Sequence, residues 1–202
     1  VAGRKMADYV DLRRLDPMYR LVIGRKGRDP LVLDTTQNIA EMAKRIGAVN
    51  PKDGEAFARF IADNRYKLRH SESILRNPLN GLKDLFGPEL WRDTLKVAPV
   101  LSPHKSVHDL LGKYFEDEFI KLAMCFQSKY LGMSPHDCPS LFTILPFIEY
   151  EYGIWHPIGG CNALMRGLAD VALELGVDIR TSSPVSSVEF DSTNRRRATG
   201  VV

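Results

Sequence analysis

Apolar and polar positions alternate twice near the start of the chain, at Tyr19-Arg-Leu-Val-Ile23 and Leu31-Val-Leu-Asp34, around a turn of glycine, arginine and aspartate. That pattern predicts a β-hairpin. Thr36 then reads as the N-cap of a helix running to about Arg45 and ended by Gly47. Pro51 opens a second helix, with Phe57, Phe60, Ile61 and Tyr66 as its apolar stripe. Breakers cluster from Asn77 to Gly87, and a further helix is predicted from about Pro88 through Trp91 and Leu95. Pro103 opens another. Phe119, Leu122, Ala123 and Phe126 form the next stripe, closed by Gly132-Met-Ser-Pro135, and Pro139 starts a helix to about Tyr150.

The last quarter changes character. Tyr152-Gly-Ile-Trp-His-Pro-Ile-Gly-Gly160 reads as an aromatic strand ending in two glycines, followed by an amphipathic helix from Asn162 to Gly176. Val177-Asp-Ile-Arg180, Ser183 to Phe190 and Ala198 to Val202 then read as β-structure. The expected class is α+β. Three regions follow from the pattern: a β-hairpin region at 1–35, a helical insertion at 36–150, and the aromatic strand, glycine turn, helix and strands at 151–202.

Charge narrows the function classes. A net charge of +3 is too small for a nucleic-acid reader, and no motif supports one. The cysteines Cys125, Cys138 and Cys161 are odd in number and lack Cys-x-x-Cys spacing, so reduced thiols in a cytoplasmic setting are expected. The longest apolar run, Leu141 to Ile148, falls well short of the about 20 residues a membrane span needs.

Residues Tyr152, Gly153, Trp155, Pro157, Gly159 and Gly160, with the leucine-bearing helix after them, resemble the bacterial-type phytoene desaturases, also called carotenoid dehydrogenases, of the flavin amine oxidase superfamily. Asp8-Tyr-Val-Asp-Leu12, Asp16 to Leu21, Asn50 to Phe57 and Phe115 to Phe119 carry the likeness backwards. The chain departs from the family pattern at His156, where an aromatic such as Phe is usual. The resemblance implies an FAD-dependent oxidoreductase that desaturates an apolar polyene such as phytoene, with a β-containing substrate domain that carries the helical insertion and returns, at 151–202, toward a Rossmann-like FAD domain. No Gly-x-Gly-x-x-Gly fingerprint occurs in these residues. The chain is therefore expected to be the central part of a longer protein and inactive alone.

By the same resemblance, Gly159 and Gly160 lie beside the flavin ring, and Tyr152, Trp155 and His156 line the substrate side. Val185 would bond the adenine through its backbone. Asp93 and Lys96 share a helix face and correspond to an acidic–basic pair suggested for proton handling, with Lys in place of the family's Arg, although an ordinary solvated ion pair is the favoured reading. His104 and His108, four apart on one expected helix, lack a third ligand, so no metal site is expected. His136-Asp-Cys138 reads as a turn. The apolar residues of the insertion are either core or a patch for peripheral membrane association, on the inner face of the membrane. Two other readings stay open: a flavin oxidoreductase acting on an amine, porphyrinogen or retinoid, which His156 keeps in view, and a non-catalytic helical interaction module.

Overall fold

A computed structural model describes residues 2–77, 87–88, 90–102, 104–194 and 196–202. It is an α+β protein whose chain divides into two compact units, one of residues 14–155 and one of residues 1–13 with 156–202. Strands β1 (Leu12–Arg14) and β4 (Trp155–Pro157) pair with each other, and along them the chain passes from one unit to the other and back.

In the larger unit the predicted hairpin forms as β2 (Arg20–Arg25) and β3 (Arg28–Asp34), antiparallel, with Leu21 opposite Leu33 and Ile23 opposite Leu31. Leu31 and Leu33 turn inward while Val22 and Val32 stay exposed, the alternation a half-buried hairpin requires. Helix α1 (Ile39–Gly47) begins two residues later than the sequence suggested. Thr35 is occupied in closing the hairpin against Tyr19, and Thr36 Oγ1 accepts from the Asn38 amide. Asn38 therefore becomes the N-cap, its Oδ1 accepting from the Glu41 amide at 3.1 Å.

Helix α2 (Pro51–Arg76) opens at Pro51 as expected. Phe57, Phe60 and Ile61 are buried, but Tyr66 is 44% exposed. Nine residues separate it from Phe57, about two and a half turns, which puts it on the opposite face; its ring packs on His70 instead, 4.4 Å between centroids. The breaker region read at Asn77–Gly87 lies largely outside the described residues, as does Pro103. Helix α3 spans Trp91–Leu101. Helix α4 (Val107–Leu111) starts at a capping box between Ser106 and Asp109, leaving His104 outside it. The two histidines therefore do not share a helix; His108 stacks on His136 at 4.3 Å and lies 3.4 Å from Glu118.

Helix α5 (Glu118–Ala123) is shorter than its stripe implied, and continues through a 3-10 segment at Phe126–Leu131 to the left-handed Gly132. Its inward residues are Ile120 and Ala123, followed by Met124; Leu122 is exposed. Asp117 caps it, and the fully buried Asp53 of α2 accepts from the Glu116 and Asp117 amides at 2.7 and 3.0 Å. After a 3-10 turn at Ser140–Thr143, helix α6 (Ile144–Tyr152) returns across α2. The core joins Met42 and Ile46 of α1, Phe57 and Phe60 of α2, Leu111, Phe115, Ile120, Phe147 and Tyr150. Phe57 meets Tyr150 edge-on at 5.1 Å.

The smaller unit holds helix α7 (Cys161–Glu174) and the hairpin β5 (Val188–Phe190) with β6 (Ala198–Val201). Gly167 of α7 lies under the N-terminal segment, where a Cβ would stand 2.7 Å from Val10 Cγ2. Tyr9 and Arg4 both reach Glu174, at 2.7 and 3.0 Å. The strands read at Val177–Arg180 and in the first half of Ser183–Phe190 do not form. Neither segment has a ladder partner among the described residues, and a strand is stable only within a ladder.

Candidate functional site

The junction from α6 into β4 is built by one glycine and one distant glutamine. Gly153 has φ +77° and ψ 172°, a conformation that essentially only glycine adopts. Gln37 lies over it: its Nε2 donates to the Glu151 carbonyl at 2.8 Å, and its Oε1 would be 2.8 Å from a Cβ placed on Gly153. Glu151 is held on the other side by Arg65, which donates twice to its carboxylate, at 2.9 and 2.6 Å. These bonds, then the charges of Arg65 and Arg69, keep the Glu151 carboxyl below the usual carboxylate range. The turn presents Tyr152 and Trp155, 59% and 50% exposed, and fixes the indole by a 2.9 Å bond from its Nε1 to the Tyr152 carbonyl. Two flat rings thus stand outside the core of the larger unit, the indole held in place by its hydrogen bond.

From His156 onward the chain belongs to the smaller unit. His156 is exposed, and Ile158 N donates to the Asp11 carbonyl at 2.8 Å. Gly159 and Gly160 follow with φ +89° and +78°. Gly160 is the N-cap residue of α7 and supplies no side chain to its first amides. A Cβ on Gly160 would meet no other described atom within 4 Å, so the space beside the helix start is open. Bare amides, the positive end of a 14-residue helix and a glycine surface suit the edge of a flat, electron-rich ring. The residues fit the approach of a flavin.

Of the remaining residues singled out by sequence, Val185 is 58% exposed in an irregular stretch, beside Ser186, whose amide donates to the Val202 carbonyl at 2.7 Å. Asp93 and Lys96 share one face of α3 and approach to 4.0 Å. The structure brings Tyr152 and Trp155 together in the larger unit. It places His156, Gly159, Gly160 and Val185 in the smaller one. Sequence reasoning missed Gln37 and Arg65, which lie 114 and 86 residues from their Glu151 partner and carry no local signal. Among the described residues no group of three His, Cys, Asp or Glu side chains could hold a metal ion, and no helix is long and apolar enough to cross a membrane.

The family profile of flavin containing amine oxidoreductases matches residues 35–201. A 4,4'-diapophytoene desaturase (4,4'-diapolycopene-forming) of Methylomonas sp is 37% identical over 94% of this chain and 35% of its own length. A zeta-carotene-forming phytoene desaturase of Myxococcus xanthus is 31% identical over 96% of the chain and 36% of its own. A lycopene-forming phytoene desaturase of Pseudescherichia vulneris is 31% identical over 93% of the chain and 36% of its own. The chain spans about a third of the length of these curated relatives. The match along nearly all of its residues, together with the aromatic–glycine junction, means that the chain belongs to the flavin containing amine oxidoreductase family.

Proposed function

We propose that this chain is the substrate-binding part of an FAD-dependent desaturase acting on an apolar polyene such as phytoene or a related carotenoid precursor. The observation that carries the reading is the open Gly160 surface at the start of α7, which follows the exposed, hydrogen-bonded Trp155 ring by five residues. The activities of the relatives support the substrate class. Bound FAD supplies the acceptor for the hydride equivalent taken from a saturated C–C unit.

The protein's own residues bind and orient. Tyr152 and Trp155 offer apolar faces to a polyene while losing little rotamer entropy. Gly159 and Gly160 let the flavin ring approach the backbone, and the Val185 main chain is assigned to its adenine end. His156 adds a polar donor or acceptor next to this surface, where the family pattern has an aromatic. Asp93 and Lys96, an acidic–basic pair of loose geometry, are assigned to proton handling.

In the same reading, residues 1–35 are the β-hairpin region of the substrate domain, and residues 151–202 return toward the FAD domain. Residues 36–150 form the helical insertion, which would face the membrane on its cytoplasmic side.

The test is incubation of the flavin-loaded full-length protein with phytoene-type C30 and C40 polyenes. Extension of conjugation is read as a red shift of the product spectrum. Trp155→Ala should raise KM for the polyene with flavin still bound. A protein that leaves these spectra unchanged while oxidising amines would overturn the substrate class but not the family.

A further inference from the structure

A cleft of about 500 Å³ runs between the second half of α2 and the end of α6. Its rim is cationic. Arg65, Arg69 and Arg76 lie four and seven residues apart, which aligns them along one stripe of the helix. Arg65 is committed to Glu151, and Arg76 to Glu72 at 2.6 Å. Arg69, exposed between them, makes no hydrogen bond or ion pair among the described residues. Three guanidiniums face two carboxylates, so the cleft carries a net positive charge. Like charges four apart on a helix are mutually unfavourable, and here Arg65 and Arg69 are so placed.

Its floor is apolar. Phe147 is fully buried and Leu68 partly so, while Ile148 and Tyr152 are 36% and 59% exposed along the same wall. A hydrocarbon would satisfy this wall but has no use for Arg69. A small inorganic anion would satisfy Arg69 and leave the wall wet. One chemistry satisfies both. We infer that the α2–α6 cleft is a binding site for an amphiphilic anion, whose phosphate or carboxylate head is held by the Arg69 guanidinium and whose apolar chain lies along Leu68, Ile148 and Tyr152.

The planar fork of arginine matches such head groups through paired N–H donors, and the cleft is of ordinary ligand size. The inference goes beyond the redox reading and shares only Tyr152 with it, and binding needs neither flavin nor a polyene.

The head group could belong to a membrane lipid or to a free amphiphile such as a prenyl phosphate, and the experiment separates the two. Binding of dodecyl phosphate, inorganic phosphate and neutral dodecyl maltoside to the purified protein is measured by calorimetry below micellar concentrations. Dodecyl phosphate should bind at least about tenfold more tightly than either of the others, as expected for losing one charge-assisted contact or the apolar wall. Arg69→Gln should weaken it by a similar factor. Arg59→Gln, the same charge change on another face of α2, should not. Equal binding of inorganic phosphate, or equal effects of the two substitutions, overturns the site. An unchanged urea midpoint for both variants excludes unfolding as the cause. Sedimentation with phosphatidylglycerol vesicles, against phosphatidylcholine alone, assigns the source: loss of vesicle binding in Arg69→Gln identifies a lipid head group. Dodecyl phosphate binding without vesicle binding identifies a free amphiphile. Either outcome upholds the site.

Discussion

Lys67 sits in an environment unusual for a lysine. It is 2% exposed, and among the described residues its Nζ donates only to Thr143 Oγ1, at 3.3 Å. Burial pulls its pKa down to about 8, partly opposed by Asp63 and reinforced by Lys113. A lowered lysine pKa means that between pH 8 and the ordinary value of 10.5 the unfolded chain binds more protons than the folded one. Stability contributed through Lys67 therefore rises across that window, and below it the folded state carries the full cost of a buried ammonium. Lys67→Met should stabilise the protein at pH 7 by on the order of 2–3 kcal/mol and abolish the rise. Urea midpoints at pH 7 and pH 10 measure both; a variant that keeps the wild-type slope refutes the assignment. None of this was legible in the sequence, where Lys67 is one of 28 basic residues with nothing local to distinguish it. The glycines of the junction were legible, because Gly159 and Gly160 stand between a strand pattern and a helix pattern. The clamp on Gly153 was not, because Gln37 comes from more than a hundred residues away.

Among elements, the crossing of α1 and α2 depends on one glycine. A Cβ on Gly54 would stand 2.7 Å from both the Ala43 carbonyl oxygen and Gly47 Cα, whereas one on Gly47 would be 3.8 Å from its nearest neighbour. Backbone cannot yield as a flexible side chain can. Gly54→Ala should therefore destabilise by about 1–3 kcal/mol despite a helix-propensity gain of roughly 1 kcal/mol. Gly47→Ala should be neutral or stabilising. Thermal melts of the two variants decide it; a Gly54→Ala protein as stable as wild type would mean the helices separate freely. The sequence announced both helices through Pro51, the Phe57 and Phe60 spacing and the Gly47 stop, all local signals. It placed the cap of α1 two residues early because Thr36 Oγ1 accepts from the Asn38 amide, next to Thr35, which Tyr19 holds across the hairpin. It also read strands at Val177–Arg180 because β-branched residues mark a propensity, while a strand needs a neighbour that propensity does not supply.

At the scale of the whole molecule the two units differ in kind. Every member of the large apolar core belongs to residues 14–155. The smaller unit leaves Val177, Ile179, Val188, Phe190 and Val201 about half exposed or more. Residues 14–155 produced alone should unfold in one cooperative transition, with a midpoint within a few degrees of that unit in the intact protein. Broad, non-cooperative melting would show that the core needs the flanking segments. The smaller unit is made of two segments far apart in sequence, residues 1–13 and 156–202. Val10 and Tyr9 wait for Gly167, and Asp11 for Ile158. During synthesis at about 5–20 residues per second, roughly 10–30 s pass between the appearance of these partners. In that interval the intervening unit can complete its core on the ribosome, holding Arg14 and Trp155 close through the Leu15–Ile154 bond of 2.9 Å. The early-made segment is thus tethered at the place where its late-made partner will emerge, and the order of translation itself favours correct assembly.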